Sequence, residues 1–147
     1  MKGEESGKAF LEGFNCAQAV FLPFAAERGL GEGAAARIAS SFGAGMGRMQ
    51  ETCGAVTGAF MALGLEYGFE KGDDHERKAL ILQRTKEFID RFKGEFGTLS
   101  CKELTGCDFN TDEGMKFHKE SGQRETVCLK CVRFAASTVE DMKAVRA

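Results

Sequence analysis

The chain has 147 residues, of which 43% are hydrophobic and 29% charged, a composition typical of one globular domain and not of a disordered chain. Its formal net charge is −2 with both signs interspersed, so it lacks the basic stripe that binds a phosphate backbone, and we expect no nucleic-acid partner. No apolar stretch approaches the roughly 20 residues of a membrane span, and the N-terminus has no signal-peptide pattern, so we expect a cytoplasmic protein without a membrane partner.

Apolar residues recur at intervals of three and four along the chain, which is typical of helices and not of strands. A glycine-dense segment at residues 43–47 interrupts this pattern, and residues 107–124 are predicted to be loop or one weak helical turn. We therefore predict an all-α, single-domain bundle of five or six helices across residues 1–147. The predicted helices cover residues 4–27, 32–41, 52–66, 73–92, 100–105 and 126–144.

The six cysteines are the most informative feature of the composition. A domain of this size has enough core to fold without disulfide bonds, and a reducing compartment disfavours structural disulfides. In that setting a high cysteine count indicates metal binding or transient redox chemistry. The positions of the cysteines relative to the helices therefore carry the functional prediction.

Cys53 follows the glycine-dense segment and lies at the predicted start of the third helix. With Thr52 as the N-cap, Cys53 would occupy the first turn, where free N–H groups and the helix dipole favour a thiolate. Arg48 adds a nearby positive charge. The alternative is a small buried hydrophobe, which most free cysteines are. We favour a catalytic thiolate because the loop, the helix start and the cation coincide.

A second thiol is predicted to approach Cys53 through close helix packing. Gly54 and Gly58 form a pair of small residues one turn apart, which lets this helix approach a neighbour closely. The natural candidate on the neighbouring helix is Cys16. Its position within an amphipathic helix would, taken alone, indicate core packing.

The other cysteines also occupy informative positions. Cys101 follows the predicted cap Ser100, and Cys128 follows the predicted cap Thr126. Cys128 and Cys131 form a C-x-x-C pair, which shares one helix face and suits either a metal ion or a dithiol. Together with Cys101 and Cys107 this pair would supply four sulfurs for zinc, and scattered cysteines can also converge on an iron–sulfur cluster.

The glycine-dense segment suggests a further, non-catalytic interpretation. Gly45, Gly47 and Arg48, followed by a helix start, are residues that can hold a small anion. The segment lacks the preceding strand of a dinucleotide-binding fold, so we do not predict that fold. His75 and His118 are isolated in polar surroundings and are expected to be solvated.

Three segments carry a resemblance to a known family: FNCAQAV from Phe14, FGAGMG from Phe42 and CGAVTG from Cys53. With these segments the chain resembles, over nearly its whole length, the C_GCAxxG_C_C family, whose name records four cysteines and a central cysteine-glycine-alanine motif. The resemblance implies a helical fold and a redox or metal role. It places the family cysteines on Cys16, Cys53, Cys101 and Cys128, and leaves Cys107 and Cys131 as additions to that set.

Three functions remain open on this evidence. The leading hypothesis is a thiol redox protein with thiol–disulfide oxidoreductase-like activity, in which Cys53 attacks and Cys16, Cys101 or Cys128 resolves the disulfide. The second is a metal or iron–sulfur protein with Cys16, Cys53, Cys101 and Cys128 as ligands. The third is a binding module for a small anion or partner. The partner is a redox protein or a small molecule, and the Phe- and Ala/Gly-rich helices suggest a homodimer.

Overall fold

A computed structural model describes residues 1–144 of the chain, and the predicted all-α class is confirmed for these residues. They contain eight α-helices and no strand, apart from one isolated bridge between Thr52 and Ser100. The predicted number of five or six helices was therefore too low. The helices are α1 (Lys2–Leu11), α2 (Cys16–Glu27), α3 (Glu32–Ala39), α4 (Gly54–Tyr67), α5 (His75–Phe96), α6 (Cys101–Thr105), α7 (Asp112–Glu120) and α8 (Leu129–Ala144).

The single helix predicted over residues 4–27 is two helices, because the chain turns sharply at Gly13. Gly13 has a φ of 113°, and the N–H groups of Gly13 and Phe14 donate to carbonyls of the last turn of α1. Asn15 then caps α2, since its side chain accepts from the Gln18 N–H while the Gln18 side chain accepts from the Asn15 N–H. This reciprocal cap makes Cys16 the first residue of α2. The helix continues through Pro23 to Glu27.

The second additional helix lies in the segment predicted as loop or one weak turn. Thr111 caps α7 by accepting a hydrogen bond from the Gly114 N–H at 3.0 Å. A Cβ atom at Gly114 would overlap the backbone carbonyl of Asp108, so a glycine is required where α7 packs against its own preceding loop. The polar composition of α7 concealed it, because only one side of the helix faces the protein.

Helices α2 and α4 form the centre of the fold and make the most extensive contact between any two helices. A Cβ atom at Gly58 would lie 2.5 Å from the carbonyl oxygen of Ala17, and one at Gly54 would lie 2.9 Å from the Cβ of Cys16. The two helices therefore approach as closely as glycine allows. This confirms the close packing predicted from the pair Gly54 and Gly58, and it brings the starts of α2 and α4 together.

The remaining helices surround this pair and complete the core. Helices α1 and α8 pack on each other and on α2, and α5 packs on α4 and α8. Phe88 and Phe92 of α5 are fully buried and belong to a cluster of five aromatic rings. The opposite side of α5 is polar, and within residues 1–144 no helix has the length and apolar character needed to cross a membrane.

Candidate functional site

Five of the six cysteines line one cavity of about 550 Å³. The cavity lies between the starts of α2, α4 and α6 on one side and the segment from α7 to the first turn of α8 on the other. All four cysteines named from the sequence contribute to its wall, and so does one that was set apart from them. These residues are Cys16, Cys53, Cys101, Cys128 and Cys131.

Cys53 is the N-cap of α4, one position earlier in the helix than predicted. Its φ of −49° and ψ of 135° are not helical, and its N–H donates to the Leu99 carbonyl at 2.7 Å. The residue predicted as the cap, Thr52, instead forms a bridge with Ser100. The sulfur of Cys53 therefore precedes the first turn of α4, where the free N–H groups of that turn are closest.

A short antiparallel pairing places Cys101 beside Cys53. The Cys101 N–H donates to the Glu51 carbonyl at 2.7 Å, and the Cys53 N–H donates to the Leu99 carbonyl. Ser100 caps α6, as predicted, by accepting from the Glu103 N–H. Because residues 50–53 and 99–102 are paired in this way, α4 and α6 begin side by side at the cavity.

Cys16 reaches the cavity because it is the first residue of α2. The sequence interpretation placed it inside a long helix, where a buried cysteine is ordinary packing. The Asn15–Gln18 capping box, which is visible in the sequence as Asn-x-x-Gln, is the signal that would have placed it at a helix start. The missing side chain of Gly54 then allows the Cys16 Cβ to lie against α4.

Cys128 and Cys131 come from a helix that begins with a π-helical turn over Arg124–Cys128. Thr126, predicted as the cap of the last helix, lies inside this turn, and its hydroxyl donates to the Gly122 carbonyl. The wider turn ends with the Leu129 N–H donating to the Arg124 carbonyl, and α8 continues from there. Both sulfurs of the C-x-x-C pair thus face the cavity.

Cys53 and Cys131 are neighbours on the cavity wall. The Cys131 thiol lowers the pKa of Cys53 against the opposing effect of burial. The N–H groups of Ala55 and Val56, in the first turn of α4, act in the same direction. The same interaction and burial raise the pKa of Cys131, whose side chain is 1% exposed. Cys131, which the family resemblance left as an addition to the four cysteines, therefore lies on the cavity wall with them.

Cys16 and Cys128 are a second set of neighbours on the cavity wall. The Cys128 side chain, together with burial, raises the pKa of Cys16. The Cys16 thiol lowers the pKa of Cys128, and the positive charge of Arg124 adds to this effect. Arg124 is held in place by donating to the Phe10 carbonyl at 2.6 Å, with its guanidinium 3.7 Å from the centre of the Phe10 ring.

Cys101 is the one cysteine of the cavity wall without a paired thiol. Burial and the nearby sulfurs of Cys53 and Cys128 raise the pKa of Cys101 to about 12, although a hydrogen bond with Gln50 opposes them. The five sulfurs thus divide into two that favour the thiolate, Cys53 and Cys128, and three that retain their protons.

The glycine-dense segment forms a left-handed turn beside the cysteines. Residues 44–48 all have φ between 51° and 70°, a conformation that is rare for more than one residue at a time. At Gly45 a Cβ atom would lie 2.5 Å from the Cα of Gln50, so the turn requires glycine there. Gly45 and Arg48 line the cavity, whereas Gly47 is not part of its wall, and the Gly47 N–H donates to the Ser41 carbonyl.

Gln50 connects this turn to the segment before α7. Its side chain is 3% exposed, and its amide oxygen accepts from the Phe109 N–H at 2.7 Å. The amide nitrogen donates to the Cys107 carbonyl at 2.9 Å and to the Thr105 hydroxyl. Sequence reasoning did not single out Gln50, because an isolated glutamine carries no pattern from which its burial could be read.

The sixth cysteine and one histidine border the cavity in a different way. Cys107 does not line it, and its thiol donates to the side-chain oxygen of Gln123 at 3.4 Å. His118 does line the cavity, and the centres of the His118 and Phe109 rings lie 4.4 Å apart. The Nδ1 atom of His118 lies 2.9 Å from the same Gln123 oxygen. The expectation of a solvated surface was therefore wrong for His118, while His75 is exposed as expected.

The donor set was also tested against a metal site. Within the part of the chain that the structure describes, no group of three His, Cys, Asp or Glu side chains has a spacing that would hold one metal ion. In this arrangement the cavity cysteines of the described residues therefore do not form a ligand set for a zinc ion or an iron–sulfur cluster.

Comparisons with known proteins give one match. No curated protein and no solved structure matches the chain. The family model described as "Putative redox-active protein (C_GCAxxG_C_C)" matches residues 14–142, a span that includes all six cysteines, the left-handed turn and the π-helical turn. The match agrees with the resemblance carried by the motifs around Cys16 and Cys53, and the chain therefore belongs to the C_GCAxxG_C_C family.

Proposed function

We propose that this protein is a thiol–disulfide redox protein whose cavity cysteines exchange with a disulfide substrate. The observation that carries the proposal is that five cysteines line one cavity, where Cys53 neighbours Cys131 and Cys16 neighbours Cys128. Each pair contains one thiol that favours the ionised form, and the thiolate is the nucleophile of disulfide exchange. Cys53 is the attacking thiolate in this proposal, because first-turn N–H groups of α4 also stabilise it.

The exchange proceeds in two balanced steps. The Cys53 thiolate attacks one sulfur of the substrate disulfide, forms a mixed disulfide and releases the other half as a thiolate. Cys131, which neighbours Cys53, loses its proton to that leaving thiolate and attacks the Cys53 sulfur. This attack breaks the mixed disulfide and releases the second half of the substrate as a thiolate. The protein gains one disulfide and loses two thiols, while the substrate disulfide becomes two thiols. Reversal consumes two thiols, which become a disulfide as the protein disulfide is reduced.

The two other candidate functions predict different measurements. A metal or iron–sulfur protein would contain stoichiometric metal, with acid-labile sulfide in the case of a cluster. A binding module for a small anion would show neither metal nor reversible thiol chemistry. Metal analysis of protein purified without air, combined with counting of free thiols before and after mild oxidation, distinguishes the three. The proposal expects mild oxidation to remove two free thiols from the protein, and a reductant to restore them.

Replacement of the attacking cysteine tests the assignment. Cys53→Ser should abolish disulfide exchange in the Cys53 pair while keeping the fold, because serine is itself a favourable N-cap residue. The matched control is Cys107→Ser, which removes a thiol outside the cavity wall and retains a donor to Gln123. The exchange is measured as thiol released from a small disulfide by reduced protein. Wild-type exchange by Cys53→Ser, or an inactive Cys107→Ser, contradicts the assignment.

A further inference from the structure

We infer that the substrate of this cavity is a small disulfide that carries an anionic group, such as a carboxylate. The inference rests on the proposed function, since it names the class of disulfide with which the cavity cysteines exchange. Two independent observations support it. Cys53 and Cys131 are buried at the wall of a cavity of small volume, and the charged side chains that line this cavity are mainly positive.

The first observation concerns size. Cys53 is 6% exposed and Cys131 is 1% exposed, so both sulfurs are approached through the cavity, which favours a small disulfide over one on the surface of a folded protein. The cavity of about 550 Å³ falls in the range that accommodates small organic ligands. Disulfide exchange requires the attacking sulfur and the two sulfurs of the substrate disulfide to lie in line, here within the cavity. A low-molecular-weight disulfide satisfies this requirement.

The second observation concerns charge. Arg48, Lys119 and Arg124 line the cavity, and Glu125 is the single acidic residue among its lining residues. This excess of positive charge contrasts with the formal net charge of −2 for the whole chain. Lys119 is exposed and takes part in no ion pair among residues 1–144, so its charge is available to a ligand. Positive charge at the mouth of a cavity concentrates and orients anionic ligands.

Arg124 connects the charge to the chemistry. Its guanidinium is fixed against Phe10 by a hydrogen bond to the Phe10 carbonyl and by stacking on the ring, and it lies one helical turn before Cys128. An anionic group bound at Arg124 therefore places the adjoining disulfide next to the cavity sulfurs. The step balances as above: two protein thiols become one disulfide, and one anionic disulfide becomes two anionic thiols.

The test compares three small disulfides with reduced wild-type protein: oxidised glutathione, which carries carboxylates, neutral 2-hydroxyethyl disulfide and cationic cystamine. Each rate of protein thiol loss is divided by the rate at which dithiothreitol reduces the same disulfide, which removes differences in intrinsic reactivity. We expect oxidised glutathione to exceed cystamine about tenfold at low ionic strength, and we expect this preference to shrink as salt is added.

Variants of one lysine identify the source of the preference. Lys119→Gln should reduce the ratio of the glutathione rate to the cystamine rate roughly threefold, and Lys119→Glu should reduce it further. Lys86→Gln, at an exposed position on α5 remote from the cavity, should leave the ratio unchanged. Equal normalised rates for the three disulfides, or a faster reaction with cystamine, would overturn this inference while leaving the proposed function in place. If none of the three disulfides oxidises the protein, the proposed function itself fails.

Discussion

At the level of single residues, the protein separates five similar thiols into different ionisation states. Cys53 adjoins the Cys131 thiol and the N–H groups that open α4, and both lower its pKa. Cys101 is as buried as Cys53, but it adjoins other sulfurs instead of a proton donor of comparable effect. The opposite pKa shifts of these two cysteines therefore arise from their neighbours and not from exposure.

The pH dependence of alkylation tests this difference. The alkylation rate of a thiol rises with pH until the thiol is fully ionised. Because the pKa of Cys53 is lowered, its alkylation rate should reach this plateau at a lower pH than that of an ordinary thiol. Cys101, with a pKa of about 12, remains protonated, so its rate should still rise roughly tenfold per pH unit in mildly alkaline buffer. Short pulses of iodoacetamide followed by mass spectrometry of each cysteine peptide measure both rates. The two sites are 6% and 7% exposed, which makes the comparison a matched one. A plateau for Cys101 at a lower pH than for Cys53 contradicts the account.

Gln50 is a second residue whose contribution can be isolated. Gln50→Ala leaves the Phe109 N–H and the Cys107 carbonyl without their partner in a buried environment. We expect the free energy of unfolding to fall by about 2 kcal/mol, since unsatisfied buried polar groups cost about 1–3 kcal/mol each. Gln83→Ala, at an exposed position on α5, is the control and should change stability by less than about 0.5 kcal/mol. Urea denaturation measures both. Equal free energies of unfolding for Gln50→Ala and Gln83→Ala would contradict this prediction.

At the level of secondary structure, the site is built from helix starts. Cys16 is the first residue of α2, Cys53 is the cap of α4, and Cys101 is the first residue of α6. Capping patterns in the sequence predicted two of these positions. The predicted position of Cys53 was wrong by one residue, and the predicted position of Cys101 is confirmed. Cys16 was misplaced because continuous apolar spacing masked the break at Gly13.

The packing of α2 on α4 gives a prediction with an internal control. Gly58→Ala would place a Cβ atom 2.5 Å from the Ala17 carbonyl oxygen, so the helices must separate, and stability should fall by about 1–3 kcal/mol. Gly64→Ala lies in the same helix with no atom within 4 Å of the added Cβ, and it should stabilise the protein by about 0.5–1 kcal/mol. Thermal unfolding of the two variants measures the difference. Destabilisation of equal size in both would show that the close approach is not the cause.

Two elements could not be read from the sequence, for physical reasons. Helix α7 is polar on most of its surface, so apolar spacing does not reveal it. The π-helical turn before α8 differs from an α-helix only in its hydrogen-bond spacing, which has no sequence signature. This turn sets the direction of Cys128, and for that reason the pairing of Cys128 with Cys16 was not foreseen.

At the level of the whole molecule, residues far apart in the chain meet because the central helices are packed as closely as glycine permits. The all-α class followed from apolar spacing, and the convergence of Cys16 on Cys53 was suggested by Gly54 and Gly58. The sequence predicted that Cys131 shares a helix face with Cys128, but the position of Cys131 beside Cys53 was not foreseen. This position follows from the i, i+3 spacing on α8 together with the packing of α8 against α2 and α4. The packing of the helices is tertiary structure, which residue spacing does not predict.

The mapping of disulfides in oxidised protein tests the central claim most directly. Reduced protein is treated with a small disulfide without air, remaining thiols are blocked, and peptides are analysed by mass spectrometry with and without reduction. The account predicts an intramolecular link between Cys53 and Cys131, a second link between Cys16 and Cys128 under stronger oxidation, and recovery of all thiols with a reductant. Cavity cysteines that remain free, while Cys107 alone forms a link to a second molecule, would contradict it.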